Sequence, residues 1–205
     1  MQFSIYKVSD SKKLLKITKK RTSFLAKKTG INTFHSNELN HNFYHIVFHI
    51  PDEYNVGAKT GGNYINFPFS QYVNSFLFLN SNYFLVELIN EGYTNEILDY
   101  ISKKTNVSFD KLDFESDVIK RLVSTLNGKI KQLEFVDEDG EDQVLEHVKL
   151  EKFLQVADNC IIEYVLLNVE DRLISLHNRG VLSVDNSDED YLIKFTEVIM
   201  NALVD

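Results

Sequence analysis

The chain has 205 residues, 43% hydrophobic and 25% charged, which excludes collagen-like, mucin-like and disordered-tail proteins. Its length lets it bury roughly 70% of its unfolded surface without a disulfide or metal staple, and its single cysteine, Cys160, excludes an internal disulfide. The net charge of −8 is that of an acidic body, which on its own repels nucleic acid and anionic membrane surfaces.

The opening residues, MQFSIYKVSD, lack the charged-then-apolar-then-small pattern of a secretory signal, so a cytoplasmic location is expected. In chain order, Phe3–Val8 alternates apolar and polar residues as a strand does, and Leu14–Thr18 is expected to be its partner. Asn42–Ile50 is a stronger strand, expected to stop at Pro51. Asp52 to Gly62 is polar and glycine-rich and is expected to form a surface loop. Asn63–Phe69 and Ser75–Leu79 follow as short extended pieces around Pro68, and Tyr83–Asn90 as a buried strand. The density of Phe and Tyr here suits strands.

Thr94 is expected to cap a short helix carrying Ile97, Leu98 and Ile101. A second helix from about Glu115 presents Val118, Ile119, Leu122, Val123 and Leu126 on one face and stops at Asn127-Gly128. Lys129–Val136 and Gln143–Val148 read as a hairpin turning at Asp139-Gly140. Lys149 to Ala157 places Leu150, Phe153, Leu154 and Ala157 on one helical face. Cys160–Asn168, Arg172–His177 and Val181–Asp185 read as an antiparallel meander with a turn at Asn178-Arg179-Gly180. In the last helix, Ser187 and Asp190 form a capping box, and Tyr191, Leu192, Phe195, Val198, Ile199, Ala202 and Leu203 form one stripe. The expected class is α+β: mostly antiparallel sheet, β-rich in its N-terminal part, with several short helices and a C-terminal amphipathic helix packed on the sheet.

A single domain over residues 1–205 is expected. The polar stretch Lys104–Asp113 allows a subdivision into 1–104 and 105–205. Asn82–Asn90 and Asn159–Asn168, each an apolar strand with one glutamate followed later by a helix, allow a duplicated unit. The longest apolar runs, Phe43–Ile50 and Cys160–Val169, fall short of the ~18 residues of a membrane helix, so no membrane contact is expected. Few prolines, no tryptophan and abundant Asn, Ile and Lys are the bias of an AT-rich genome, and a bacterial or viral assembly is the expected setting.

The charge is unevenly distributed. Residues 1–30 carry nine bases against Asp10 alone, +8, and the remainder carries 13 bases against 29 acids, −16. Lys12, Lys13, Lys16, Lys19, Lys20, Arg21, Lys27 and Lys28 therefore form a basic arm on an acidic body. Such a stripe attracts phosphate backbones by counterion release, or an acidic protein partner. Leu14, Leu15, Ile17, Phe24 and Leu25 interleave with these bases, so the segment is expected to pack one face.

Four histidines, His35, His41, His45 and His49, cluster within fifteen residues. On a strand, residues four apart stand ~13 Å from one another, too far to share a metal, so His41, His45 and His49 need partners such as Glu38, Asp52 or His147. Asp137 to Asp142 has calcium-loop ingredients, but Phe135 falls where the first ligand must be, which rejects an EF-hand. Glu87 and Glu163 form an acid–base pair only if their strands are neighbours. Gly57–Gly62 lacks the phosphate-loop order, and Cys160 has the setting of a small buried hydrophobe.

The expected function is that of a non-enzymatic interaction module without cofactor, a small subunit of a larger assembly. Its basic arm contacts DNA, RNA or an acidic protein. The alternatives are a metal-assisted hydrolase using the His41–His49 region with Glu87 or Glu163, and an obligate homo-oligomer joined through an apolar sheet face.

Overall fold

The computed structural model describes residues 1–18, 30–57 and 64–204. The elements begin with β1 (Gln2–Val8), a 3-10 turn (Ser11–Leu14), α1 (Leu15–Thr18), β2 (Asn32–Asn40), β3 (Phe43–Gly57), β4 (Tyr64–Phe78) and β5 (Tyr83–Glu87). Next come α2 (Glu91–Thr105), β6 (Phe109–Lys111), α3 (Ser116–Leu126), β7 (Lys129–Val136), β8 (Asp142–Glu146) and α4 (Leu150–Asn159). The chain closes with β9 (Ile161–Val169), β10 (Arg172–His177), β11 (Val181–Val184) and α5 (Glu189–Ala202). The class is α+β. No helix among the described residues is long and apolar enough to cross a membrane.

The chain divides into two units, Met1–Lys7 with Asp110–Asp205, and Val8–Phe109. The break falls inside the polar Lys104–Asp113 stretch, but the first strand belongs with the C-terminal part. The larger unit has 11 bases against 22 acids, −11, whereas Val8–Phe109 has 11 bases against 8 acids, +3.

In the larger unit the strand order is β1-β11-β10-β9-β7-β8, with antiparallel pairing between neighbours. Phe3, Ile5, Leu133, Val165, Leu167, Ile174, Leu176 and Leu182 are fully buried, as are Ile119 and Leu122 of α3, Phe153 of α4 and Ile199 of α5. The three helices therefore share one apolar layer with the sheet, the arrangement their stripes dictate. In β9, Ile162 and Val165 are both buried although three apart, because β9 carries an extra residue, Glu163, opposite the Glu134–Phe135 step of β7. The hairpin turn at Asp139-Gly140 is present, with Gly140 at φ 81°. Asp137 folds over it, accepting from the N–H groups of Asp139 and Glu141 and from Gln143 Nε2.

The stop expected at Asn127-Gly128 is present, with Asn127 in the left-handed position ending α3 at φ 48°. Gly128 serves another need, since a Cβ there would lie 2.6 Å from Val169 Cγ2. Leu150, expected on the core face of α4, is exposed because it starts the helix one turn before Phe153 reaches the sheet. The cap of α5 is Asp188 rather than Ser187: its Oδ1 accepts from Asp190 N and Tyr191 N, while Ser187 turns back to Asp185.

Asp188 also receives Arg172 NH2 at 3.0 Å. The Tyr191 N–H and then the Arg172 guanidinium hold its carboxyl below the usual range. A depressed native pKa adds stability above the unfolded value that disappears as pH falls through the native one. Asp188→Ala is expected to lower Tm by about 3 °C at neutral pH, with the deficit shrinking below pH ~4. Calorimetry beside Ser187→Ala, expected to be nearly silent, checks the assignment.

In Val8–Phe109 the strand order is β2-β3-β4-β5, antiparallel throughout. Ile46, Phe48, Val73, Leu77, Phe84 and Val86 lie in its core with Ile97 and Ile101 of α2, and Phe48 meets Tyr100 edge-on at 6.1 Å. The segment expected as a second strand, Leu14–Thr18, is instead helical. The buried pair Leu14 and Ile17 explains this, since residues three apart share a face of a helical turn but oppose each other on a strand.

Neither proline ends its strand. β3 runs through Pro51 to Gly57, and the two pieces expected around Pro68 are one strand, β4. Pairing of β2 stops at His49 and that of β5 at Ser75, so Pro51 and Pro68 each lie where one strand edge is open and no N–H is required. The expected loop Asp52–Gly62 is therefore strand as far as Gly57, and its remainder lies outside the described residues. The strand expected over Tyr83–Asn90 ends at Glu87, because Asn90 caps α2 by accepting from Tyr93 N at 2.9 Å. This makes the helix longer than a start at Thr94 allows.

Candidate functional site

Of the eight basic-arm residues, Lys12, Lys13 and Lys16 lie within the described part, and Lys19, Lys20, Arg21, Lys27 and Lys28 lie outside it. Ser11 anchors the turn, its hydroxyl donating to Leu79 O at 2.7 Å and its N–H to Asn82 Oδ1 at 3.2 Å. With Leu14 and Ile17 buried on the inner side, Lys12, Lys13 and Lys16 are all exposed. Lys13 pairs with Asp10 at 3.5 Å, an exposed i,i+3 contact worth little. Lys12 and Lys16 meet no carboxylate among the described residues.

Sequence reasoning missed a second feature. From Pro51↔Ser70 to Gly57↔Tyr64, β3 and β4 run as a two-stranded ribbon of seven residue pairs, ~20 Å long, beyond the reach of β2 and β5. Tyr54 stands opposite Phe67 and Asp52 opposite Phe69, so the three aromatics share one face, exposed by 65, 52 and 39%. On the other face Tyr72 meets Phe34 edge-on at 4.9 Å. The signal available in the sequence was Phe67-Pro-Phe69, an aromatic alternation read instead as a fragment beside a loop.

The ribbon is tied at its root, where the Tyr93 hydroxyl donates to Asp52 Oδ2 and Asp52 Oδ1 accepts from Glu53 N. The Tyr93 bond, more than any other contact, holds the Asp52 carboxyl below its usual range and raises the Tyr93 phenol. Tyr93→Phe is expected to raise the Asp52 titration toward the ordinary carboxylate range, with the smaller lowering by the Glu53 N–H remaining. An NMR titration of the Asp52 carboxyl carbon reads this, and an unchanged midpoint overturns the assignment.

His45 and His49 are engaged within the sheet. His45 Nε2 meets Asn74 Oδ1 at 3.0 Å and its ring stacks on Phe76. His49 uses both ring nitrogens, toward Asn32 Nδ2 at 3.1 Å and Ser70 Oγ at 2.8 Å. His35 lies on β2 opposite Val47 and His41 in the β2–β3 turn. Among the described residues no three His, Cys, Asp or Glu side chains gather closely enough to hold a metal. Glu87 accepts from the backbone and side-chain N–H groups of Asn74 at 2.9 and 2.7 Å, whereas Glu163 belongs to the other unit. Neither unit brings the two carboxylates together. Cys160 is half-exposed at the end of α4, less buried than its sequence setting implied.

The Val8–Phe109 unit thus offers fixed, unpaired cations at the Leu79 end of β4 and exposed aromatic faces at the Phe67 end, twelve residues or ~40 Å along the strand. Comparison with protein-family models and with curated proteins finds no match.

Proposed function

We propose that the protein is an interaction module that binds nucleic acid, first contacting it through the basic segment 12–28. The observation that carries this reading is the seating of Lys12 and Lys16, exposed and without a carboxylate partner on a turn whose Leu14 and Ile17 are buried. Unpaired lysines on a fixed support lose little entropy on meeting phosphates and release counterions when they do. The +3 charge of Val8–Phe109 in a chain of −8 supports the same surface. Separation of the cations from the exposed aromatics favours an extended strand over a compact ligand, with lysines on phosphates and Tyr54, Phe67 and Phe69 available to stack bases. Titration of labelled single- and double-stranded DNA and RNA at two salt concentrations tests it. Absence of binding at low salt would sink it.

A second reading is favoured by the ribbon, whose open edges and exposed aromatics suit pairing with a second copy or another subunit of an assembly. A strictly monomeric light-scattering profile at micromolar concentration removes the homo-oligomer. The hydrolase reading gains no support from His49, both of whose ring nitrogens are engaged within the sheet, or from His45, whose Nε2 meets Asn74. A reducing cytoplasm is the setting this proposal assumes.

A further inference from the structure

We propose that a groove in the Asp110–Asp205 part of the larger unit binds a phosphomonoester with an apolar body, a ligand of the size and chemistry of a nucleoside monophosphate. The groove is a shallow one, open to solvent, of about 420 Å³, and lies where the start of β7 meets the link from β8 to α4. Gly128, Lys129, Ile130 and Lys131 form one side, and His147, Val148, Lys149 and Leu150 the other. Its volume falls in the range of small-molecule sites.

The charge pattern carries the inference. This unit holds 22 acids against 11 bases, and its Lys120, Arg172 and Lys194 pair with Asp158, Asp188 and Glu170. Lys129, Lys131 and Lys149 line a single groove, and among the described residues none of them has a carboxylate within ion-pair distance. What distinguishes these three from the unit's other bases outside the ion pairs is that they gather at one groove, where like charges repel one another. An anion resolves that repulsion, and a phosphate dianion does so best.

The backbone contributes to the same end. His147 adopts φ 51°, a left-handed conformation uncommon for a non-glycine residue, and its N–H donates to Lys131 O at 2.9 Å. That bond carries the β7–β8 ladder one step past Gln132↔Glu146 and keeps the link to α4 beside the start of β7, where Lys149 lines the same groove as Lys129 and Lys131. Lys149 is the N-cap of the ten-residue α4 and makes no side-chain bond to it, so the first-turn N–H groups add to the positive field of the lysines, offset in part by Glu151 in the same turn. The apolar lining explains the second half of the ligand. Val148 and the exposed Leu150, which the core of α4 does not use, offer a surface for a ring.

None of these residues belongs to the basic segment 12–28, so this inference stands apart from the nucleic-acid reading. A free phosphomonoester and the 5′ end of an oligonucleotide present the same chemistry, and the test separates the two. Full-length protein is titrated with AMP, adenosine, inorganic phosphate, and a trinucleotide with and without a 5′-phosphate, followed by amide chemical shifts. AMP is expected to saturate one site per chain with a Kd of about 1 mM or tighter at low salt, shifting residues 128–131 and 147–150, with inorganic phosphate weaker and adenosine silent. K129Q/K131Q/K149Q is expected to weaken AMP binding tenfold or more, its fold checked by its unchanged shifts elsewhere. K12S/K13S/K16S is expected to leave AMP binding intact. Binding of the 5′-phosphorylated trinucleotide as tightly as AMP assigns the site to strand ends, and weaker binding assigns it to free nucleotide. Failure of AMP to saturate by about 10 mM, equal binding of adenosine, or an unweakened triple variant overturns the proposal.

Discussion

Replacing Lys12, Lys13 and Lys16 together by serine is expected to reduce the salt dependence of nucleic-acid binding by about three phosphate contacts, each worth a log–log slope near 0.7 on single strands and 0.9 on duplex. The affinity of the native chain should fall steeply between low and physiological salt, and that of the variant should begin lower and fall less. These three side chains are exposed, and the apolar anchors Leu14 and Ile17 are untouched, so the variant should keep its fold. Equal slopes for the two proteins would show that phosphates are met elsewhere. Extending the substitutions to Lys19, Lys20 and Arg21 then asks how much of the arm takes part. A triple variant Tyr54→Ser, Phe67→Ser and Phe69→Ser separates stacking from charge. It should weaken single-stranded ligands while leaving the salt slope nearly unchanged, because stacking releases no counterions.

Gly180→Ala is expected to destabilise the Met1–Lys7 and Asp110–Asp205 unit by about 3–5 kcal/mol, enough to remove a large part of an ordinary domain's stability. Gly180 sits at φ 67° in the β10–β11 turn, where its N–H donates to His177 O and its carbonyl accepts from Ile5 N at 3.2 Å. A Cβ there would overlap the Leu112 carbonyl oxygen, whose own residue donates its N–H to Ile5 O at 2.9 Å. Three chain segments converge on a point with room for a hydrogen only, so backbone must move. Gly140→Ala is the control. It has a similar left-handed φ of 81° but no atom within 4 Å of the added Cβ, so only conformational strain, about 1–2 kcal/mol, is expected. Urea denaturation of the pair separates strain from overlap, and equal losses would refute the close approach.

How much of this was legible in the chain differs from element to element. The stripes of α3 and α5 and the meander β9–β10–β11 were readable because burial imposes a local period, 3.6 or 2, that one sequence displays. Leu14–Thr18 was misread because four or five residues do not separate the two periods. The prolines misled for a different reason. Pro51 and Pro68 forbid a strand only where both edges are paired, and which edges are open is set by β2 and β5, segments distant in sequence. The cap of α5 moved by one residue because Ser187 and Asp188 both suit the position, and Arg172 on β10 lies beside Asp188.

The candidate sites divide in the same way. Composition alone marked the basic arm, and the apolar residues within it announced that its beginning would pack. The aromatic ribbon needed the register of β3 against β4 before Tyr54, Phe67 and Phe69 could be placed on one face. The lysine groove was invisible, since Lys129 and Lys131 are separated from Lys149 by a hairpin and a link, and the β7–β8 ladder, extended by the His147 N–H, sets them at one groove.

From its sequence by itself this protein is determined to be an α+β chain with an acidic majority and a basic beginning, because periodicity and charge are properties of neighbours along the chain. Its tertiary structure alone decided which strands lie side by side, which prolines are harmless, which histidines are already engaged and which lysines share a groove. Those depend on contacts between residues tens of positions apart, whose energies reward a pairing only after the intervening chain has been closed into a loop, and no local pattern records that outcome.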